Sequence, residues 1–397
     1  EVLAVRASSL GKPGVKPLCW TDKGVLLAYA HGELIAIEEG QERALCKLPL
    51  GSVKRTLSHS RMASRALRIE PRAALVVGSI ALVAWAGSVL LVDIHNGRLE
   101  TLLRPRGGFS DPLYFTRAEG DDLLAVWGDY GTNPSRSSVT IWGLGSDGGI
   151  RSLFEFEPGR VRHVHGIISR MAGDGGYYVF TGDMEEKSGI YIASPDFSSM
   201  EPLAVGEQRF RAVRGFPIED GLIYATDSAS IENHAYRLHE DGRGSWSQLD
   251  DLGTLNGPCI YGGQVEGGYL FTTTIEPDES LQGISSLVSR STGQGVFTPE
   301  ATAVLVDVSG RMREVARIKS DGMPLKALQY GSLQVPSGTA HRNHVWVYSR
   351  SLKGVDGKAV RITDERLYPR AFGALIEGQT VGKIISTPER NRRSGSG

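Results

Sequence analysis

The feature that most constrains this chain is a recurrence. Along its 397 residues, short apolar runs of strand length group in fours, separated by Gly, Asp, Asn and Ser. Residues 16–48 give PLCW, VLLAYA, LIAIEE and ALCKLPL, and residues 66–104 give a similar set around VLLVDI. Residues 109–155, 161–205 and 208–250 repeat the pattern. Residues 256–317 do so with a longer insertion, and residues from 322 onward close less regularly. Helical periodicity is nearly absent. A four-strand unit returning every 40 to 60 residues predicts an all-β fold, a seven-bladed β-propeller of four-stranded antiparallel blades. Six blades remain open if the weak last unit is discounted. A sandwich lacks this long period, and a β-helix repeats at a much shorter one. The 50 glycines fit the many tight turns such a ring needs. The expected organisation is one propeller domain over residues 1–387, with the N-terminal EVLAVR completing the last blade as its outer strand. Residues 388–397, ending NRRSGSG, read as a disordered tail or an appended scar.

One stretch imitates a membrane span: AALVVGSIALVAWAGSVLLV, residues 73–92, carries no charge over twenty residues. Gly78 and Gly87 cut it at strand-length intervals, its pieces are rich in Val and Ile, and VDIHNGR continues as strand and turn. Three buried strands are therefore expected, and no membrane span. With 44 basic against 45 acidic residues, the charge argues against nucleic acid as partner. Three cysteines, Cys19, Cys46 and Cys259, are no disulfide framework. Their scarcity favours the cytoplasm, while the start at Glu1 leaves a removed export signal, and so a periplasmic or secreted location, open.

Propeller topology lets the sequence place residues in space. The innermost strand of each blade begins, and the second strand ends, on the same face of the ring. The second strands end in VWGDYG, VFTGDME, YATDSAS and FTTTIEP, each followed by an acid: Asp129, Asp183, Asp227 and Glu276. The next inner strands begin VRHVHG, QRFRAV and NGPCIYG, supplying Arg162, His163, His165, Gln208, Arg209, Arg211, Asn256 and Tyr261. In VRHVHGII the two histidines are two apart on a strand, so their side chains face one side together. All these groups are expected around the channel mouth on one face. His59 in LSHSRMASR reads as a loop residue, the segment IEPDESLQG as a rim loop, and His341 and His344 as channel or surface residues.

The run GDYGTNPSRSSVTIW, GRVRHVHGI, VFTGDMEEKSGIYIASPD, GEQRFRAV and IYATDSASIENHAYRL, over about residues 124–280, resembles sialidase-like propellers of the BNR/Asp-box kind. More narrowly it resembles a bacterial group described as exo-sialidase-like or glycosyl-hydrolase-like. The resemblance implies the propeller fold and a poly- or oligosaccharide partner. SPDFSSMEPL and HEDGRGSWSQL are degenerate Asp-boxes in which Asp196 and Asp241 would stabilise turns. The arginine triad and Tyr–Glu pair of sialidases are not traceable. In composition the site is similar to that of seven-bladed propeller polysaccharide lyases.

Four chemistries compete. A lyase acting on a uronic-acid-containing glycan needs a cation on the substrate carboxylate, a base and an acid. Arg136, Arg209 or Arg211 would be the clamp, His163 or His165 the base and Tyr261 the acid. A glycoside hydrolase would pair carboxylates among Asp183, Asp227 and Glu276. Tyr130, Tyr224 and Trp127 would then offer stacking surface. A divalent metal held by His163, His165 and Asp183 is a third option; no other cofactor is expected. A non-catalytic glycan- or protein-binding propeller is the fourth. The expected catalytic set is His163, His165, Tyr261, Asp183 and Asp227. The expected substrate-binding set is Arg136, Arg162, Gln208, Arg209, Arg211, Asp129 and Glu276.

Overall fold

Seven antiparallel sheets stand around a central channel in a computed structural model, which describes residues 5–7, 10–105, 107–183, 187–265, 268–338 and 344–363. The chain is a seven-bladed β-propeller. Apart from one added outer strand in blade one, each blade runs from the channel outward in chain order. The fourth, for example, orders Val164–Ser169, Tyr177–Thr181, Gly189–Ala193 and Met200–Val205. The 73–92 stretch resolves into three strands, Ala74–Val77, Ile80–Trp85 and Ser88–Asp93. Gly78 and Gly87 turn between them at positive φ of 58° and 75°. Among the described residues no helix is long and apolar enough to cross a membrane.

The alternation of each strand buries apolar side chains against both neighbouring blades. One apolar layer fills each gap between blades. Val126, Val164, Tyr177 and Tyr191 lie between blades three and four, and Phe180, Phe210, Tyr224 and Leu238 between four and five. A smaller cluster of Tyr114, Val213 and Ile260 plugs the channel itself, with Tyr114 donating to the Ile260 carbonyl at 2.7 Å. On the outer turns, Asp196 accepts from the Ser198 amide and Asp241 from the Arg243 and Ser245 amides. Both act there as turn-stabilising side chains.

Two expectations about the ends and the loops are corrected. Val5–Ala7 does not complete the last blade; it pairs with Gln41–Lys47 as a fifth, outermost strand of blade one. Ring closure falls instead to inner-strand contacts. The Trp20 amide donates to Ser337 at 2.8 Å, and the Ser337 amide to Leu18 at 3.0 Å. Blade seven shows three strands among the described residues, Ser332–Gln334, His344–Arg350 and Ala359–Thr363. The tail at 388–397 and His341 lie outside the described residues. The segment holding His59 is not a plain loop but a pair of short helices, α1 (Ser52–Leu57) and α2 (Arg61–Leu67), between blades one and two. His59 sits at their junction, stacked on His31 at 4.4 Å. Arg61 of α2 bonds Glu70 at 2.6 Å, and Arg65 pairs with Asp321 and Asp356, so the helices are pinned over the mouth.

Candidate functional site

The mouth that gathers the predicted residues is built by blades three to six. His163 immediately precedes the inner strand of blade four, and His165 lies within it at a bulge between Val164 and Gly166. Asp183 follows the second strand of the same blade. Gly182 before it has a structural cause: a Cβ there would meet the His165 ring at 2.3 Å. Asp183 itself adopts φ of +85°, a strained conformation for a residue with a side chain, and such strain costs on the order of 1–3 kcal/mol.

Four cationic or ionisable side chains converge on the Asp183 carboxylate. His165 Nε2 lies 3.3 Å away, His163 Nε2 3.4 Å, Arg211 Nη2 3.0 Å and Arg162 Nη1 3.2 Å. The carboxyl is held well below its usual range: burial works to raise it, and the two imidazoles beside it outweigh burial. Arg211 also reaches Asp227 at 3.7 Å, where one carboxylate oxygen of Asp227 is buried without a partner. Glu276 is buried and pushed up to about 8, by burial first and then by the Asp227 charge. Asp183 and Glu276 are thus pushed in opposite directions at one mouth, a contrast that uniform ion pairing does not produce.

The histidine tautomers follow from their partners. His163 Nδ1 faces the Gly131 carbonyl at 2.5 Å and His165 Nδ1 the Ala212 carbonyl at 2.9 Å. A carbonyl can only accept, so both Nδ1 atoms carry protons. Each Nε2 then either bears a second proton or presents a lone pair. Burial lowers the pKa of His163, and its enclosed Nε2 has the Asp183 carboxylate 3.4 Å away but no well-formed hydrogen bond.

His163, His165 and Asp183 could also hold a metal ion, their ligand atoms lying within 4.8 Å of one another. The Nδ1–carbonyl bonds are those that orient metal-bound imidazoles. A bound ion would act as a Lewis acid there. The charge balance opposes it: Arg162 and Arg211 already match Asp183 and Asp227. A dication would add two positive charges, of which an ionised Glu276 would offset one.

Next to this cluster a cavity of about 550 Å³ opens at the same mouth. Its lining includes Lys16, Arg68, Arg72 and Arg350 against the acids Glu70 and Asp111. Glu70 is spent on Arg61, Arg350 and the Tyr348 hydroxyl. Asp111 accepts from the Gly87 amide. Tyr130 joins the two regions. Its ring lies 4.6 Å from that of His163, and the Arg72 guanidinium stands 5.1 Å from its centroid on the cavity side. Tyr130 sits in a two-stranded ribbon, Phe109–Ser110 with Tyr130–Gly131, laid over the mouth.

The other expected residues divide. Tyr261 lines the cavity, its phenol kept protonated by burial. Gln208 bridges Ser188 and Ser228 at 3.1 Å each, bracing two blades beside the cluster. Asp129 is consumed inside its own blade, accepting from the Thr140 amide at 3.0 Å and Trp142 Nε1 at 2.9 Å. Arg209 turns outward to Glu207 and the Phe210 ring. Arg136 is fixed through its backbone in a positive-φ turn, its carbonyl accepting from Gly159. Tyr224 and Trp127 are core. His344 opens a strand on the opposite face. Arg72, Lys16, Arg350 and Tyr330 went unread. The signal for Arg72 was present: PRAAL places it just ahead of an inner strand, as FRAVR places Arg211.

No family model matches the sequence, and no curated protein matches it. Solved structures do resemble it in shape. A streptogramin B lyase superposes with a TM-score of 0.52 at 11% identity, over 88% of this chain and 96% of that one. A candidate 6-phosphogluconolactonase from Bacteroides fragilis gives 0.44 at 14%, over 90% and 95%. The computationally designed Ika8 protein gives 0.46 at 10%, over 90% and 98%. At such identities the likeness is one of fold alone: the chain is similar to these proteins as a propeller.

Proposed function

We propose that the protein cleaves an acidic, uronate-containing glycan by β-elimination at this mouth. The observation that carries the reading is the buried imidazole of His163, its proton-bearing Nδ1 fixed on Gly131 and its Nε2 left without a well-formed hydrogen bond 3.4 Å from Asp183, beside a cavity with surplus positive charge. Arg72, which forms no ion pair among the described residues, and Arg350 offer guanidinium groups to the substrate carboxylate. Neutralising that carboxylate acidifies the proton on the adjacent carbon. His163 Nε2 takes the proton, the bond to the glycosidic oxygen breaks, and the electron pair forms the new carbon–carbon double bond. The departing oxygen needs a proton. Glu276 and Tyr261 both carry one, and Glu276 is assigned as the acid because it titrates near neutrality and is readily reloaded. Asp183 would steady the imidazolium that forms at His163.

One observation favours a second reading. Asp227 and Glu276 are neighbouring carboxyls, and the Asp227 charge helps to keep Glu276 protonated, an arrangement a glycoside hydrolase could use. A panel of uronate polymers separates the two. A lyase produces absorbance at the unsaturated-uronate band, whereas a hydrolase produces new reducing ends without it. Cleavage of no polymer on a broad panel would overturn both.

A further inference from the structure

The opposite end of the channel carries a cavity of its own, about 860 Å³, lined by the ends of inner strands and hairpin turns from all seven blades. Its lining includes Trp20, Phe115, Arg117, Arg214, Phe216 and Gln264. The apolar plug of Tyr114, Val213 and Ile260 lies across the channel.

Arg214 is the anomaly in this cavity. Its guanidinium is stacked on Tyr114 at 4.8 Å and on Phe216 at 5.8 Å. Gly262 leaves room for it; a Cβ there would approach its side chain to 3.3 Å. Its Nε is buried without a hydrogen-bond partner, and no carboxylate pairs with it among the described residues. The contrast with its neighbours is sharp. Arg117, on the same wall, pairs with Asp22 at 2.8 Å, and Arg170 on the next blade is paired with Glu240. An arginine set into a channel wall without an anion is costly, and burial depresses its pKa. Two aromatic rings hold its fork in one orientation with no anion among the described residues to receive it. Such preorganisation is what bidentate recognition of a planar oxyanion uses.

We propose that this far mouth is a second ligand site, one that takes a small carboxylate carried on a flat ring body. The carboxylate meets Arg214, and the ring packs among Phe115, Phe216 and Trp20. The site is independent of the chemistry assigned to the near mouth.

Isothermal titration with benzoate, and separately with inorganic phosphate, tests it. The expected result is saturable benzoate binding. Arg214→Gln should weaken it roughly 10- to 100-fold, the span of one charge-assisted hydrogen-bonded pair. Arg214→Lys, which keeps the charge but loses the fork, should weaken it less. His163→Ala, at the other mouth, should leave it unchanged. Should Arg214→Gln fail to fold, Ser169→Glu supplies the check. It places a negative charge on the cavity lining and should abolish benzoate binding while Arg214 stays in place. Phosphate binding as tightly as benzoate would overturn the ring-bearing part of the proposal. Absence of benzoate binding, or binding indifferent to Arg214→Gln and Ser169→Glu, would overturn the site.

Discussion

Blades four and five share two buried charge clusters, one at each end of the ring, and they are built on opposite principles. At the far end Arg170 Nε donates to Glu240 at 2.9 Å, the Tyr178 hydroxyl donates to the same carboxylate at 2.7 Å, and Arg170 also reaches the Gly175 carbonyl. At the near end the Asp183 cluster collects two imidazoles and two guanidiniums. It also leaves His163 Nε2 without a well-formed hydrogen bond and one Asp227 oxygen without a partner, and holds Glu276 far from its ordinary titration. The first cluster is satisfied and the second is not. Burial charges a penalty for every unpaired polar atom, so a fold that retains several at one place is keeping them for a ligand or a reaction. The satisfied cluster stabilises the blades; the unsatisfied one is the candidate for chemistry.

The comparison breaks most directly by deleting one member from each cluster. His163→Ala should lower kcat/KM on the cleaved polymer by about 10²- to 10⁴-fold, the usual worth of a positioned general base. Its thermal melt should stay close to that of the unsubstituted protein. Arg170→Ala should do the reverse. Stranding the buried Glu240 charge should cost about 3–5 kcal/mol in denaturant unfolding, with activity per folded molecule retained. If His163→Ala unfolds the protein and Arg170→Ala abolishes turnover, the assignment of the two clusters is inverted.

Much of this contrast was legible in the sequence. The strand rhythm fixes the ring, and the ring puts the ends of second strands beside the starts of inner ones, which brought His163, His165, Asp183, Arg211 and Asp227 to one mouth. The pair in VRHVHG could be read because residues two apart on a strand share a side, and both rings do converge on Asp183. Asp129 stood at the same position in its blade as Asp183 and Asp227. What the pattern could not carry is that Trp142, across the ladder, claims its carboxylate. The cationic wall was hidden for a different reason: α2 and the segment after it carry no strand rhythm, and Glu70 meets Arg350 across 280 residues.

Acid–base titration sharpens the comparison further. His163 works as a base only when neutral, so kcat/KM should fall as pH drops through a value below the ordinary 6.5, since burial lowers its pKa. Glu276 works as an acid only when protonated, so activity should also fall as pH rises through about 8. The profile is a bell. Glu276→Gln should be much less active. Its melt should gain on that of the unsubstituted protein as pH rises from 4.5 to about 8. In that window the folded form binds the Glu276 proton more tightly than the unfolded chain does, so stability declines with pH, and glutamine removes the decline. Parallel melting curves across the window would mean that Glu276 is ordinary, and the near cluster would lose its acid.

The smallest effect tests where the near cluster ends. Arg209 and Arg211 are two apart, as the histidines are, yet Arg209 lies inside a short 3₁₀ turn, Gln208–Phe210, and Arg211 directly follows it, so they do not share a strand. Alternation therefore does not apply, and only Arg211 turns inward to Asp183 and Asp227, while Arg209 lies outside against Glu207. Arg211→Ala should damage turnover through the loss of both contacts. Arg209→Ala removes an exposed pair and should change stability by no more than about 0.5 kcal/mol, with kcat/KM unmoved. A loss of kcat/KM at Arg209 comparable to that at Arg211 would extend the binding surface outward over the rim between blades four and five. The boundary between a satisfied surface and an unsatisfied mouth would then have been drawn in the wrong place.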